Sequence, residues 1–257
     1  MRTGSTSDPE TRDPRNVFTS AFGALILSLL PFMAQAQTGE IFIPGQSEVM
    51  QPPAAPQSAL AACLSEPTAA NCAAVSDSAE GLAFESATGS AIQFETLVLD
   101  LNDGHVTAQP EPPQHAPDYT APPPDHGKIA LPAVAVTIEF DYNSAHVRAD
   151  QIGKLAGLIT AFQDPALSGA SYAIIGHTDA VGSHAYNCDL SHRRATSVTA
   201  ALTGGYVTLP LYPVGFGEHV LKNTYDPRAP ENRRVTFMRL PAYPEQVLAT
   251  AGSVCGY

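Results

Sequence analysis

The stretch from Asn187 to Leu202 reads NCDLSHRRATSVTAAL and decides most of what the sequence says about the fold. From Leu190 onward its apolar residues recur at helical spacing, which predicts an amphipathic helix with one buried face. The adjacent Arg193 and Arg194 project about 100° apart on such a helix. A single pocket can therefore receive only one of these two arginines.

A carboxylate lies a short distance before this helix. The motif Gly-His-Thr-Asp at 176–179 places Asp179 on a loop, fifteen positions ahead of Arg194. A loop carboxylate facing a helix arginine suits a zwitterionic amino-acid ligand, because the Asp binds the ammonium and the Arg binds the carboxylate as a fork. Taken singly, each residue has a simpler interpretation: Asp179 as a turn residue, Arg194 as a surface arginine and Asn187 as a helix cap.

The two motifs together identify a family resemblance. The pattern N-x2-LS-x2-RA-x2-V-x3-L is filled at every position, by Asn187, Leu190, Ser191, Arg194, Ala195, Val198 and Leu202. With the Gly-His-Thr-Asp motif, it resembles the OmpA-like C-terminal domain, which holds bacterial peptidoglycan. The resemblance implies an α+β fold, a βαβαββ domain with a mixed sheet, spanning 129–240. It also implies a binding protein and not an enzyme.

The ligand implied by the resemblance is the meso-diaminopimelate residue of the peptidoglycan stem peptide. Asp179 would pair with its ammonium and Arg194 with its carboxylate. Asn187 would brace the loop or touch the ligand amide, and Thr178 would help to orient the ligand. Asp141 would form the far wall. The expected ligand-binding set is therefore Asp141, Thr178, Asp179, Asn187, Leu190 and Arg194, although Leu190 also suits the core.

A late signature of the same family is matched by Asn232-Arg-Arg-Val235. Val235 must face the core if this strand is half-buried, so Arg234 points the opposite way. Arg233 lies on the Val235 side, at the start of the strand, where it could rim the pocket. The sequence does not decide between the two arginines, and neither is included in the expected site.

The hydrophobic pattern of the implied domain alternates between strand and helix. The predicted strands are 134–140, 171–176, 211–216 and 234–240, and the predicted helices are 149–162 and 190–202. Two βα units followed by two strands predict a mixed sheet covered by helices. Residues 241–257 form a C-terminal tail.

The first 36 residues are typical of a secretory signal peptide. Arg12 and Arg15 precede an apolar run, and Ala34-Gln-Ala36 supplies small residues for cleavage after Ala36. The alternative is a membrane anchor that is never cleaved. We expect export to the periplasm and association with peptidoglycan and the cell outer membrane.

Charge is distributed unevenly between the signal peptide and the implied domain. From 37 to 133 there are twelve acidic residues against Lys128 alone, whereas 133–240 carries nine of each sign. This shortage of basic residues excludes a basic surface for nucleic acid.

Residues 37–105 form an acidic region of uncertain fold, with a disulfide-closed helical hairpin expected at 58–74 and a strand at 92–101. Residues 106–128 read as a Pro-rich, semi-rigid linker. As an alternative function, the N-terminal region would dock onto an outer-membrane or envelope protein, with wall binding secondary.

Four cysteines in a chain expected to be exported favour disulfides. Of the three possible pairings, Cys63–Cys72 with Cys188–Cys255 is the most economical. The spacings do not favour a metal site. No nucleotide-binding motif occurs, and Ser191 lacks a Gly-x-Ser-x-Gly context. The sequence therefore predicts no cofactor, no metal and no catalytic residue.

Overall fold

The structure is a computed structural model that describes residues 54–78, 85–86, 89–90, 92–141 and 143–256. The predicted signal peptide at 1–36 lies outside the described residues, as does the start of the acidic region.

A six-stranded sheet forms the centre of the described chain. A short hairpin comes before it, made of β1 (Glu85–Ser86) and β2 (Gly89–Ser90). The strands of the large sheet are β3 (Ile92–Asp100), β4 (Val106–Gln109), β5 (Lys128–Val136), β6 (Tyr172–Gly176), β7 (Leu211–Gly215) and β8 (Val235–Arg239). Their order is β4-β3-β5-β8-β6-β7. Strands β6 and β7 are parallel and the other neighbours are antiparallel, so the sheet is mixed as predicted.

Helices cover both faces of this sheet. They are α1 (Ala59–Ser65), α2 (Ala69–Ser76), α3 (Ile152–Phe162), α4 (His184–Gly204) and α5 (Glu245–Ser253). On one face, Val134 and Phe237 pack in a core shared with α1, α2, α3 and α4. On the other face, Leu131 and Met238 pack in a second core with Val247 of α5. The alternation of side chains along each strand produces these two cores.

The predicted βαβαββ order is confirmed by β5, α3, β6, α4, β7 and β8. Two boundaries differ from the prediction. The first strand of the predicted order, β5, spans 128–136 instead of 134–140. It begins earlier because nine consecutive residues, Pro132 among them, pair with β3. Helix α4 begins at His184, six residues before the predicted start, because the Ser183 side chain caps it by accepting from the Tyr186 N–H.

The region before the implied domain belongs to the same sheet. Strand β3 pairs with β5 along its full length, and β4 pairs with β3. Residues 106–109 were expected in the linker, and that expectation is wrong because they form β4. The rest of the Pro-rich stretch also contacts the sheet: the Arg239 guanidinium lies 4.4 Å from the ring centroid of Tyr119. The expected limits of the domain stay a prediction, but its sheet begins before residue 129.

Both disulfides of the economical pairing are present. Cys63–Cys72 closes the hairpin of α1 and α2, whose N-caps are Ser58 and Thr68. Cys188–Cys255 joins α4 to the residues just after α5, across a sequence separation of 67. Closing a loop of that length in the unfolded chain stabilises the fold by about 4 kcal/mol in the chain-entropy model.

None of the helices in the described part of the chain is both long and apolar enough to cross a membrane.

Candidate functional site

Two glycines place α4 against the carboxyl ends of the parallel strands. A Cβ atom on Gly176, the last residue of β6, would lie 2.1 Å from the Ser191 carbonyl oxygen. A Cβ atom on Gly215, the last residue of β7, would lie 2.7 Å from the His192 backbone nitrogen. Because only glycine permits this approach, the loops that follow both strands meet at the N-terminal half of α4.

The loop after β6 carries Asp179 and is held from two sides. The Thr178 N–H donates to the Gly217 carbonyl over 2.9 Å, which joins it to the loop after β7. The buried Asn187 side chain donates to the Asp179 carbonyl over 3.4 Å. Asn187 lies within α4, and Ser183 is the cap, so the helix-cap interpretation of Asn187 is wrong. The structure places Asn187 where it braces the loop, in keeping with its expected role.

Arg194 is buried on the inner side of α4, with 7% of its surface exposed. Its Nε donates to the Ser144 carbonyl over 3.3 Å, and its guanidinium lies 4.8 Å from the ring centroid of Phe140. Burial lowers the pKa of Arg194, and Tyr186 and Asp179 act in the opposite direction. A guanidinium keeps its proton in proteins, so this is a partly desolvated cation. Within the described residues, no carboxylate forms an ion pair with it.

Arg233 is the arginine that rims the pocket. Its Nη1 lies 2.7 Å from Asp179 Oδ2, and about half of its side chain is exposed. The other oxygen of Asp179 accepts from the Val181 N–H over 3.1 Å. Arg234 instead lies buried, 3.0 Å from Glu95 on β3. Two guanidinium groups, Arg194 and Arg233, therefore lie near Asp179, and the carboxylate pairs with Arg233 alone.

The far wall of the pocket is the turn that follows Phe140. Phe140 and Val147 form an isolated β-bridge, and the exposed Asp141 begins the turn between them. This turn presents the Ser144 carbonyl to Arg194. It also presents Asn143 Oδ1, which accepts from the Tyr186 hydroxyl over 3.1 Å. Asp141 thus lies on the turn that contacts Arg194 and Tyr186, and its role toward a ligand stays a prediction.

Two expected ligand contacts are not on the accessible surface. Thr178 has 2% of its surface exposed, and its hydroxyl has no hydrogen-bond partner among the described residues. Leu190 has 6% exposed. The Thr178 backbone, and not its hydroxyl, holds the loop, and Leu190 contributes buried apolar surface beneath the pocket.

Three contributors to this pocket are absent from the sequence prediction: Phe140, Ser144 and Tyr186. Arg233 was left open beside Arg234, and Phe140 directly precedes the expected Asp141, so a signal existed for both. Ser144 contributes a backbone carbonyl, which any residue could supply. Tyr186 was missed because the predicted helix began after it.

Fold and side chains together define an α+β domain whose candidate site lies beside the carboxyl ends of two parallel strands. Residues 139–235 match the model of the OmpA family, so this segment is an OmpA-like domain, as the motifs predicted. The described residues before and after it contribute β3, β4, β5, most of β8 and α5 to the same sheet and its cover.

Similar proteins match less than half of the chain. Outer membrane porin F of Pseudomonas fluorescens is 33% identical over 106 residues, which cover 40% of this chain and 32% of that protein. The matching part thus spans about a third of the relative. The OmpA-like domain of FopA1 from Francisella tularensis is 20% identical, with a TM-score of 0.36, over 43% of this chain and 74% of that chain. The peptidoglycan-associated lipoprotein of Burkholderia pseudomallei is 24% identical, with a TM-score of 0.35, over 40% of this chain and 87% of that chain.

Proposed function

We propose that this protein binds peptidoglycan without cleaving it and anchors an envelope component or the outer membrane to the cell wall. The observation that carries the proposal is Arg194: a buried cation, without a carboxylate partner among the described residues, in a pocket that also contains Asp179. A cation taken out of water without a counter-charge is costly unless a ligand supplies that charge. The match to the OmpA family supports the same function.

The charges of the pocket suit the free end of meso-diaminopimelate, which carries an ammonium and a carboxylate on one carbon. The carboxylate would accept from the outer N–H groups of Arg194 as a bidentate pair. The ammonium would approach Asp179 and replace Arg233 there. Arg233 is free to move because its side chain is half exposed, and it can then turn toward the ligand carboxylate. The ligand carboxylate would thus contact both guanidinium groups, and the ligand ammonium would contact the carboxylate of Asp179.

Two candidate catalytic side chains near the pocket, Ser191 and His177, are already engaged, which supports a non-catalytic role. The Ser191 hydroxyl donates to the Cys188 carbonyl over 2.8 Å and accepts from the Gly217 N–H over 2.8 Å. His177 is buried, with 1% of its surface exposed, and contacts Val220 and Thr236. A nucleophile and a general base both need access to substrate, and neither of these residues has it.

The proposed location follows from the proposed ligand. Peptidoglycan lies in the periplasm, so the protein would act there, beneath the outer membrane. A partner from the outer membrane or another envelope assembly would bind outside the pocket, since the pocket is occupied by the stem peptide. The acidic region at 37–105 is the proposed segment for that contact.

Sedimentation with purified sacculi that contain diaminopimelate tests the proposal. Asp179→Ala and Arg194→Ala should each weaken binding by roughly tenfold to a hundredfold, because a charge-assisted contact in a partly desolvated pocket contributes about 1.5–3 kcal/mol. Arg193→Ala is the matched control. Its side chain is exposed and pairs with Asp189 on the outer face of α4, so sedimentation should not change.

Two results would contradict the proposal. Full binding by both Asp179→Ala and Arg194→Ala would show that the wall binds elsewhere. Release of soluble muropeptides by the unaltered protein would show that it is a hydrolase.

A further inference from the structure

Two histidines face each other beside the Asp179 loop, on a part of the surface that the proposed wall site does not use. His184 is the first residue of α4, and His219 lies in the loop after β7. Their Nε2 atoms are 2.9 Å apart, with the two rings perpendicular and their centroids at 4.0 Å. Two ring nitrogens that converge in this way direct their lone pairs into one small volume.

A carboxylate fixes the orientation of the first ring. Glu218 Oε1 lies 3.2 Å from His184 Nδ1, so His184 donates its Nδ1 proton to Glu218. This hydrogen bond leaves the lone pair of His184 on Nε2, which faces His219. Metal-binding histidines typically donate their other ring N–H to a carboxylate in this manner. Glu218 is therefore suited to a supporting role behind a histidine ligand.

The second ring presents the same nitrogen, Nε2, to the first ring. A neutral imidazole is the form that binds a metal ion. In the metal-free protein, His219 would donate its Nε2 proton to His184, and an ion would take the place of that proton.

A sulfur atom lies next to the pair. Among the described residues, the possible ligand atoms of His184, Cys188 and His219 all lie within 4.8 Å of one another. Cys188 is bonded to Cys255, so its sulfur is not a thiolate. With the disulfide intact, the cluster offers two nitrogen ligands and leaves the other positions of an ion to water.

We propose that His184 and His219 bind a late first-row divalent metal ion of the Zn²⁺ class, with Glu218 as the supporting carboxylate. Imidazole nitrogen suits Zn²⁺ and Cu²⁺ and does not suit Mg²⁺ or Ca²⁺. Tetrahedral Zn²⁺ with bonds of about 2.0–2.1 Å needs its nitrogens about 3.3 Å apart. The observed 2.9 Å must therefore widen slightly, and both side chains are exposed enough to move.

The ion would join two segments that also hold the wall-binding loop. His184 starts α4, and His219 lies two residues after Gly217, whose carbonyl accepts from the Thr178 N–H. The proposed metal would tie these segments together behind Asp179. No sequence motif marks this site, because 35 positions separate the two histidines.

Calorimetric titration of the full chain with Zn²⁺, without a histidine tag and with both disulfides intact, tests the site. We expect one ion per chain, with affinity at least tenfold weaker in His184→Ala and in His219→Ala. His126→Ala is the control, and this variant should bind Zn²⁺ with the affinity of the unaltered chain. His126 is an exposed histidine just before β5. Mg²⁺ should show no binding. Absence of stoichiometric Zn²⁺ binding, or equal affinity in the two variants and the unaltered chain, would overturn the proposal.

A second comparison tests the position of the ion. Cys255→Ser frees the Cys188 thiol beside the two imidazoles, where it can bind Zn²⁺ as a thiolate. Under a thiol-free reductant, this variant should bind Zn²⁺ at least tenfold more tightly than the double variant Cys188→Ser/Cys255→Ser, which lacks the sulfur. Thermal unfolding of both variants confirms that they fold. Equal affinities would place the ion away from Cys188 and overturn the assigned ligands.

Discussion

Two neighbouring arginines, Arg233 and Arg234, belong to two charged regions with opposite properties. Arg234 pairs with Glu95 at 3.0 Å, and both side chains are almost completely buried, at 2% and 3% exposed. Arg233 pairs with Asp179 at 2.7 Å, with 47% of the arginine side chain exposed. We call the first region the buried network and the second the pocket. In the buried network the pair is shielded from solvent, whereas the pocket contains a cation, Arg194, that forms no ion pair among the described residues.

This difference in burial and pairing distinguishes charges that stabilise the fold from charges that can bind a ligand. Glu95 also accepts from the Thr236 hydroxyl over 2.5 Å, and Arg234 donates to the Val220 carbonyl over 3.3 Å. These bonds tie β3 to β8 across β5. In the pocket, Arg194 has a backbone carbonyl and an aromatic ring as partners, and among the described residues no ion pair. Arg194 can therefore gain an ionic contact without losing an ion pair of its own.

Removal of Glu95 should produce the largest effect. Glu95→Ala leaves Arg234 buried without its counter-charge, and breaking a buried pair in this way costs about 3–5 kcal/mol of the free energy of unfolding. The double variant Glu95→Leu/Arg234→Met should recover most of that loss, because it removes both charges. Urea unfolding measures both values.

Arg233→Ala is the matched comparison in the pocket. It breaks an ion pair that is open to solvent, so it should change the free energy of unfolding by less than about 1 kcal/mol. If Glu95→Ala and Arg233→Ala destabilise the protein equally, the division into a buried network and a pocket is wrong.

His177 should give the buried network a pH dependence. Burial, together with the charge of Arg234, holds the pKa of His177 well below its ordinary value of 6.5. The unfolded chain therefore takes up a proton below about pH 6.5 that the folded chain does not, so stability is lost as pH falls through this range. This histidine contributes up to about 1.4 kcal/mol for each pH unit.

Urea unfolding between pH 7 and pH 5 measures that slope. His177→Gln should reduce the slope relative to the unaltered protein, whatever its effect on stability at pH 7. His126→Gln replaces an exposed histidine and should leave the slope unchanged. A slope that is identical in His177→Gln would show that His177 does not stay neutral in the folded protein.

The sequence predicted most of the fold because the hydrophobic pattern reports burial directly. The βαβαββ order and both disulfide pairings followed from local pattern and from economy. The attachment of β3 to β5 was not predictable, since it depends on a pairing between distant strands and on a buried charge, Glu95, that looks like any other acidic residue of an acidic region. The start of α4 was missed because its first turns are polar.

Part of the site was also predictable, because the periodicity of a helix indicates which of its residues are buried. Helical phase correctly separated Arg194 from Arg193: the first is buried and the second exposed. The choice between Arg233 and Arg234 needed three-dimensional information, because strand alternation shows that they point apart but not what each one meets. The burial of the Thr178 hydroxyl is likewise a tertiary effect of the contact between two loops.

The central claim is that Arg194 recognises the carboxylate at the free end of diaminopimelate. Calorimetry with two soluble stem peptides, one with meso-diaminopimelate and one with lysine at the same position, tests it most directly. Lysine keeps the ammonium and lacks the carboxylate. The unaltered protein should prefer the diaminopimelate peptide by about tenfold or more, equivalent to about 1.4 kcal/mol. Arg194→Ala should bind both peptides equally, while Arg193→Ala keeps the preference. A preference that survives in Arg194→Ala, or its absence from the unaltered protein, would contradict the account.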